Sequence, residues 1–547
     1  SPIFVAAGPL GIDVVDVRDE ATAVFAADAV SRLGDGVGVA AVTAGPGVTN
    51  TITAVKNAQL AHSPLVLLGG ATATMLKGRG ALQDIDQMAL IRPHVKRATV
   101  VRRVREITST LERAFAEAQS GVPGPVFVEF PVDLLYPEEM VREWYGTAGS
   151  GRGLRGWLQQ WYLNRHVRRL FGGAWGAPAA RPREVSYPRH SAAQVEKAVQ
   201  ELAVAERPVL LIGSQALLDA SQAQALQGAV LRLGVPTFLS GMARGLLGRE
   251  PLYLRHGRTK ALKEADLILL AGVPCDFRLN YGRSLSRQAT VISVNRSSRA
   301  LRQNCRPNLA SQADPGAFLR ALGARWERGS APWAGWLERL QARNAGREEQ
   351  IAAQTQEETG YVNPLYLCQE IEARLPENSV LVGDGGDFVA TASYIVRPRR
   401  PLSWLDPGPF GTLGVGAGFA LGARLMRPEA EVWLLYGDGS AGYSLAEFDT
   451  FARHNLPVIA VVGTDGSWAQ IAREQVEIFG DSVATELART DYHIVAEGYG
   501  GEGLLVSKES EVGPCLDEAQ RLAREGRPVL VNVLLGESDF RKGSISI

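Results

Sequence analysis

The sequence predicts an α/β fold of three doubly wound domains with parallel sheets, and three observations predict it. The chain has 547 residues, too many for one core and suited to about three domains of ordinary size. Unbroken apolar runs, the mark of strands buried on both faces, recur along its whole length. Helix-period segments separate those runs, which is the alternation of a parallel sheet.

Taken in order, "IDVVDV", "VGVAAVT", "PLVLLGG" and "GPVFVEFP" read as strands of a first α/β domain over 1–146, with "EATAVFAADAVSRL" as a helix. "RPVLLIGS", "VPTFLSG", "ADLILLAGV" and "ATVISVN" read as strands of a central α/β domain over 191–345. "NSVLVGDGG", "EVWLLYGDGS", "LPVIAVVGTDG" and "RPVLVNVLLG" belong to a third, over 355–547, which ends in a C-terminal tail. Each block should form one sheet of about four to six strands. Residues 147–190 form an Arg/Trp-rich linker helix, with Leu154, Trp157, Leu158, Trp161, Val167, Leu170 and Phe171 near one face and Arg155, Arg165, Arg168 and Arg169 mostly elsewhere. It reads as a packing helix between domains or subunits; a membrane-surface helix and an arginine site for a phosphorylated substrate are the alternatives.

Composition narrows the function classes. At 46% hydrophobic and 21% charged residues this is a soluble globular composition. Lys plus Arg and Asp plus Glu are both 58, so no global field draws nucleic acid or a membrane, and an anionic ligand needs a local site. Cys275, Cys305, Cys368 and Cys515 have neither zinc spacing nor a disulfide framework. No run of about 18 apolar residues is present to span a bilayer. A targeting or anchoring segment upstream of Ser1 would not be visible here.

The chemistry-bearing stretch is "YGDGSAGYSLAEFDTFARHNLPVIAVVGTDGSW". A buried strand ends in Gly437-Asp438-Gly439, and a second ends at Asp465, 27 positions later. Glycines let backbone approach a ligand, and a following helix, read from "SLAEFDTFARHN", offers amides to a phosphate. Asp438, Asp465 and a backbone carbonyl at Ser467 make three oxygen ligands for magnesium, which prefers octahedral oxygen coordination shared with phosphates and water.

These residues resemble the diphosphate signature of thiamine-diphosphate-dependent enzymes, which runs from Gly-Asp-Gly to Asn-Asn. The Asn-Asn falls on Thr464 and Asp465, a departure that keeps an oxygen ligand but adds a negative charge. The resemblance extends over essentially the whole chain in the order pyrimidine domain, central domain, diphosphate domain. It implies that Glu20 bonds the aminopyrimidine ring and so assists loss of the thiazolium C2 proton. It implies that "TAGPGVTN", with Pro46, Gly47 and Asn50, borders that ring, and that Gly411 and Leu413 in "PFGTLGVGAGFALGA" receive the amino group and prop the bent cofactor. Gly385 and Gly386 in "GDGGDF", with Gly437, Gly439, Ser440, Gly466 and Trp468, would surround the diphosphate.

Simple 2-keto acid decarboxylases carry adjacent histidines, and this chain has none. "GRGALQDIDQ" resembles the acetolactate-synthase and 2-hydroxyacyl-CoA-lyase branch, with Leu82 in place of an aromatic residue and Gln83 as the polar group facing the reacting carbon. "SGMARGLLGR", "CDFRLNYGR", "GYSLAEFDTFARH" and "DFRKGSISI" place the chain on the lyase side. That implies cleavage of a 2-hydroxyacyl-CoA to formyl-CoA and an aldehyde one carbon shorter, reversible as an acyloin-type condensation. Asp539, Arg541 and Lys542 would close over the CoA arm or form a solvated end. Acetolactate-synthase-type condensation of 2-keto acids and a catalytically silent cofactor-binding subunit are the alternatives. The expected cofactors are thiamine diphosphate and Mg2+, with ADP or FAD an option in the central domain. Small-molecule acyl-CoA and aldehyde substrates, no nucleic acid, and a homodimer or homotetramer are expected. The resemblance implies a cytoplasmic protein if the chain is microbial, and one associated with the endoplasmic reticulum membrane if it is an animal chain with a further N-terminal anchor.

Overall fold

The computed structural model describes residues 2–146, 153–326 and 332–542. The start of the linker, 147–152, and the end of the tail, 543–547, lie outside the described residues. The chain divides into two compact units, Ser1–Asp28 with Val37–Ser186, and Ala29–Gly36 with Tyr187–Ile547. Three parallel sheets run through them, one in the first unit and two in the second.

The first sheet has the order β1-β2-β4-β3, from Gly38–Val42, Leu65–Ala71, Arg97–Val100 and Pro125–Pro131 for β1 to β4. Its β4 is buried at every position, which is why "PVFVEFP" shows no polar alternation. The helix Glu20–Leu33 covers the segment read as "EATAVFAADAVSRL".

In the second unit β5 to β9 are Pro208–Ile212, Thr237–Leu239, Leu267–Ala271, Thr290–Asn295 and Leu309–Gln312, in the order β6-β5-β7-β8-β9. The third sheet has the order β11-β10-β12-β13-β15-β14. Its strands β10 to β15 are Ser379–Asp384, Trp404–Leu405, Glu431–Gly437, Ile459–Thr464, Glu502–Val506 and Val529–Leu534. Leu381, Trp433, Leu435, Val461 and Val531 join one core there with the flanking helices. Each such side chain taken fully from water stabilises the fold by roughly 1.5–3 kcal/mol.

One expectation needs correction and another needs refinement. "IDVVDV" is not a strand: Ile12–Val17 belongs to no sheet, and Ile12 and Val14 are exposed. Three valines and an isoleucine favour an extended backbone but do not supply a partner to pair with. The helix expected from Ser444 is present, as a 3-10 turn Leu445–Glu447 that runs straight into Phe448–Arg453, but it is preceded by a separate turn at Asp438–Ala441 that the sequence reading did not anticipate. Tyr443 and Ser444 donate their amides back to Ser440 and Ala441, closing that first turn before the next helix starts.

Apart from Glu20, which begins the helix Glu20–Leu33 with no strand before it, most residues singled out from the sequence lie in chain leaving the C-terminal ends of strands, where parallel sheets open for ligands. Chain leaving β1 and β2 carries Thr43–Asn50 and Thr72–Gln83; chain leaving β10, β12 and β13 carries Gly385, Asp438 and Asp465.

Candidate active site

Within the first unit, Glu20 begins its helix and its Oε2 accepts from Asn50 Nδ2 at 3.1 Å. Asn50 ends the short helix Pro46–Asn50, which follows Gly45 at φ +62°. Gly47 is buried, and a Cβ there would lie 2.8 Å from Thr43 Cγ2. Gln83 also holds a left-handed backbone, φ +63°, against Gly45, where a Cβ would meet its carbonyl oxygen at 2.9 Å. Such a conformation costs a non-glycine residue on the order of 1 kcal/mol.

The tie that holds this loop is Gln87, which sequence reasoning passed over. Its side chain is buried, accepts from the Gly45 amide at 3.2 Å and donates to the Gly70 carbonyl at 2.7 Å. One amide thereby joins the glycine-proline turn, the end of β2 and the loop bearing Gln83. A cavity of about 350 Å³ opens beside it, lined by Phe4, Thr43, Leu82, Gln83, Phe130 and Tyr136 among others. Leu82 is 90% exposed at its rim.

In the second unit the glycines are packed too closely to be anything else. A Cβ on Gly385, at φ +56°, would lie 2.0 Å from Leu413 Cδ2, and one on Gly439 would lie 2.3 Å from the Trp468 ring. Gly386, at φ +89°, sits against Gly437, with 3.2 Å from its Cβ position to Gly437 Cα. Ser440 Oγ donates to the carbonyls of Gly437, at 2.9 Å, and Asp384. Gly411 stands apart: it ends the turn Gly408–Phe410 at φ +64°, with no atom within 4 Å of its Cβ position.

The two acids stand at the ends of neighbouring strands β12 and β13, near enough for the Asp438 charge to act on Asp465. Asp438 is buried, and its carboxylate accepts from the amides of Gly439 and Gly466, each at 2.8 Å. Asp465 accepts from the Ser467 amide at 3.0 Å, while Ser467 Oγ donates to the Thr485 carbonyl at 3.1 Å. Burial raises the Asp438 carboxyl, against the pull of those two amides and Arg489. Asp465 is pushed up to about 7, first by burial and then by the Asp438 carboxylate, with Asp387 adding to it. Arg489, pinned by bonds to the carbonyls of Thr464 at 2.8 Å and Leu535 at 3.1 Å, opposes both shifts. Two mutually repelling, poorly hydrated carboxylates fit a hard divalent cation, and the glycine cradle beside them fits the diphosphate such a cation would bridge.

Asp384 was also missed, although its signal was legible: like Asp438, it ends a largely apolar strand and precedes glycine. Fully buried, it accepts from Gly414 at 3.0 Å and Gly416 at 2.7 Å, fixing the loop that carries Leu413. Burial dominates those bonds and pushes its carboxyl up to about 7.

The helix Gly386–Ile395 leads from this cradle to a cavity of about 890 Å³. Arg244, Arg255, Arg258, Lys260, Arg343 and Arg347 line it, and of its lining residues only Glu264 is acidic. Arg244 and Arg255 donate to the carbonyls of Ser393 and Ile395, both at 2.8 Å, which caps the helix end. Arg258 donates to the Arg278 carbonyl at 2.7 Å; burial and the nearby Arg244 guanidinium disfavour its charge. The described part of the tail packs at this rim, with Phe540 edge-on to Tyr394 at 5.9 Å and under Arg347 at 5.3 Å. Arg541 Nε lies 3.8 Å from Asp387, which also pairs with Arg473.

Three family models match: the N-terminal TPP binding domain of thiamine pyrophosphate enzymes over residues 2–90, the central domain over 195–322 and the C-terminal TPP binding domain over 384–533. The 2-hydroxyacyl-CoA lyase 2 of Danio rerio is 53% identical over 555 residues, covering 100% of this chain and 89% of the relative. That of Homo sapiens is 53% identical over 560 residues, covering 100% and 88%. The acetolactate synthase large subunit IlvG of Mycobacterium tuberculosis is 34% identical over 531 residues, covering 96% and 90%. Among the described residues no helix is long and apolar enough to cross a membrane. With matched domains in this order and full-length relatives, the chain belongs to the thiamine pyrophosphate enzyme family.

Proposed function

We propose that this protein is a thiamine-diphosphate- and Mg2+-dependent carbon–carbon lyase that cleaves a 2-hydroxyacyl-CoA to formyl-CoA and an aldehyde one carbon shorter. The observation that carries the CoA ester is the basic cavity around Arg258, because a CoA thioester brings three phosphate groups that a free 2-hydroxy acid lacks. The apolar cavity beside Gln83 supports an acyl chain or the departing aldehyde. Bound thiamine diphosphate supplies the nucleophilic carbon and the electron sink.

The protein's own residues then have assigned tasks. Glu20 holds a proton at the ring nitrogen, steadied by Asn50. Pro46 and Gly47 would keep the turn close to that ring, the Gly411 carbonyl would receive its amino group, and Leu413 would support it. Asp438, Asp465 and the Ser467 carbonyl hold the cation, while Gly385, Gly386, Gly437, Gly439, Ser440, Gly466 and Trp468 line the diphosphate. The Gln83 amide donates to the substrate oxygen; the substrate hydroxyl loses its proton as the C1–C2 bond breaks, and C1 regains one. Run backwards, the same groups join formyl-CoA to an aldehyde.

This reading divides the chain into a pyrimidine-binding domain over 1–146, the linker over 147–190, a central domain over 191–345 and a diphosphate domain over 355–547; the matched segments lie inside these bounds and support it. It pairs Glu20 of one copy with Asp438 of another, in a homodimer or homotetramer. ADP or FAD in the central domain is a separate proposal, tested by nucleotide released from the purified protein.

The test compares a 2-hydroxyacyl-CoA with the free 2-hydroxy acid. The CoA ester should be cleaved and the free acid spared. Arg258→Ser should raise KM for the ester by about tenfold or more, with kcat changed less, as loss of a charge-assisted phosphate bond requires. Equal cleavage of the free acid, or an unchanged KM, would sink the CoA assignment.

A further inference from the structure

The linker helix Gly153–Phe171 has two apolar faces, and among the described residues one of them is buried and the other exposed. Inward, Val167 and Leu170 are buried, and Leu170 joins the core formed by Val66, Val126 and Phe130. His166 Nε2 lies 2.8 Å from Thr74 Oγ1, and Gln160 Nε2 donates to the Gly146 carbonyl at 3.0 Å, so the helix is fastened down along that side. Outward, Leu154, Trp157, Leu158, Trp161 and Tyr162 follow the i, i+3, i+4, i+7, i+8 spacing of a second stripe. All five are exposed, Leu154 at 74% and Trp157 at 59%, and Trp175 just beyond the helix is fully exposed. The sequence reading had merged the two stripes into one face; the structure separates them to opposite sides.

Charge selects the occupant of the outer stripe. Arg155, Arg165, Arg168 and Arg169 are all exposed, no acid occurs between 153 and 171, and Arg165 lies over the Trp161 ring at 5.2 Å. In a chain with equal numbers of basic and acidic residues, this is a concentrated positive surface. A two-fold contact with a second copy would set arginine against arginine. Exposed tryptophan, tyrosine and leucine ringed by arginine is instead the composition of a helix lying in a bilayer interface. We propose that the outer face of Gly153–Phe171 docks this protein onto the surface of a membrane containing anionic lipid, with the helix in the plane of the interface.

The test is co-sedimentation of the full chain with vesicles of phosphatidylcholine alone or mixed with phosphatidylglycerol. Binding to the anionic vesicles should exceed binding to the neutral ones by about tenfold or more and weaken as salt is raised. The double substitution Trp157→Ser with Trp161→Ser should lower it at least about tenfold, and Arg165→Gln with Arg168→Gln and Arg169→Gln should remove its preference for anionic lipid. All substituted residues are exposed, so circular dichroism and lyase turnover of a soluble substrate should match the parent protein. Failure to bind the anionic vesicles, or equal binding by the tryptophan variant, overturns the proposal. So does an oligomer that dissociates in sedimentation velocity when the two tryptophans are replaced, which would assign the face to a second copy.

Discussion

Asp465 carries a buried charge beside Asp438 that an asparagine would not, and the joint cost of burial and repulsion can be worked out. In the metal-free protein its carboxyl is raised from 3.8 to about 7 by burial and by Asp438. At 1.36 kcal/mol per pH unit that is about 4 kcal/mol of destabilisation when the group is ionised. Asp465 is half-buried, and solvent screening reduces the usable figure to roughly 2 kcal/mol. The sign follows from linkage: a carboxyl raised in the folded state costs nothing below the unfolded value near 4, and the cost grows as pH rises until it is complete above about 7. Asp465→Asn should therefore stabilise the metal-free protein by about 2 kcal/mol at pH 8, by less than half of that at pH 5, and not at all below pH 4. The assay is urea unfolding in EDTA at those three pH values. Added magnesium should stabilise the parent protein more than the variant, because the cation relieves a repulsion the variant lacks. A variant no more stable than the parent at pH 8 in EDTA would refute the repulsion and the placement of the two carboxylates.

Gly385→Ala should abolish retention of thiamine diphosphate, because its methyl would fall 2.0 Å from Leu413 at a positive φ, at a cost of about 2–4 kcal/mol; calorimetric titration of cofactor checks this. Asp384→Ala leaves the Gly414 and Gly416 amides without their acceptor and should destabilise by roughly 2–3 kcal/mol, with weaker cofactor binding as the Leu413 loop loosens, seen in the same titration and in thermal unfolding. Glu348, which burial alone would raise, is held down to about 2 by its bond from His256 and the charge of Arg255. Its contribution is present above pH 4.5 and lost as pH falls through 2, so Glu348→Gln should flatten the acid limb of the stability profile over that window.

The central architecture was legible because parallel strands buried on both faces leave unbroken apolar runs, and β5, β7 and the middle of β10 each appear as one. The acids at strand ends were legible for the same reason: Asp438 and Asp465 interrupt such runs beside glycine. Pairing was not. Ile12–Val17 has a strand's β-branched composition yet no ladder, since a partner is a tertiary fact. The buried amide of Gln87 and the guanidinium of Arg489 act across the fold on residues 42 and 25 positions away, and nothing in their immediate neighbours announces those bonds. The outer face of Gly153–Phe171 was merged with the inner one because periodicity gives a stripe but not the side that the core takes.

The central claim is tested most directly by mass-spectrometric product analysis of the purified protein with thiamine diphosphate, Mg2+ and a 2-hydroxyacyl-CoA, beside a parallel reaction with pyruvate alone. Formyl-CoA, or the formate from its hydrolysis, together with the aldehyde one carbon shorter is the predicted result. Acetolactate from pyruvate with the CoA ester left intact would contradict it and make the protein a synthase.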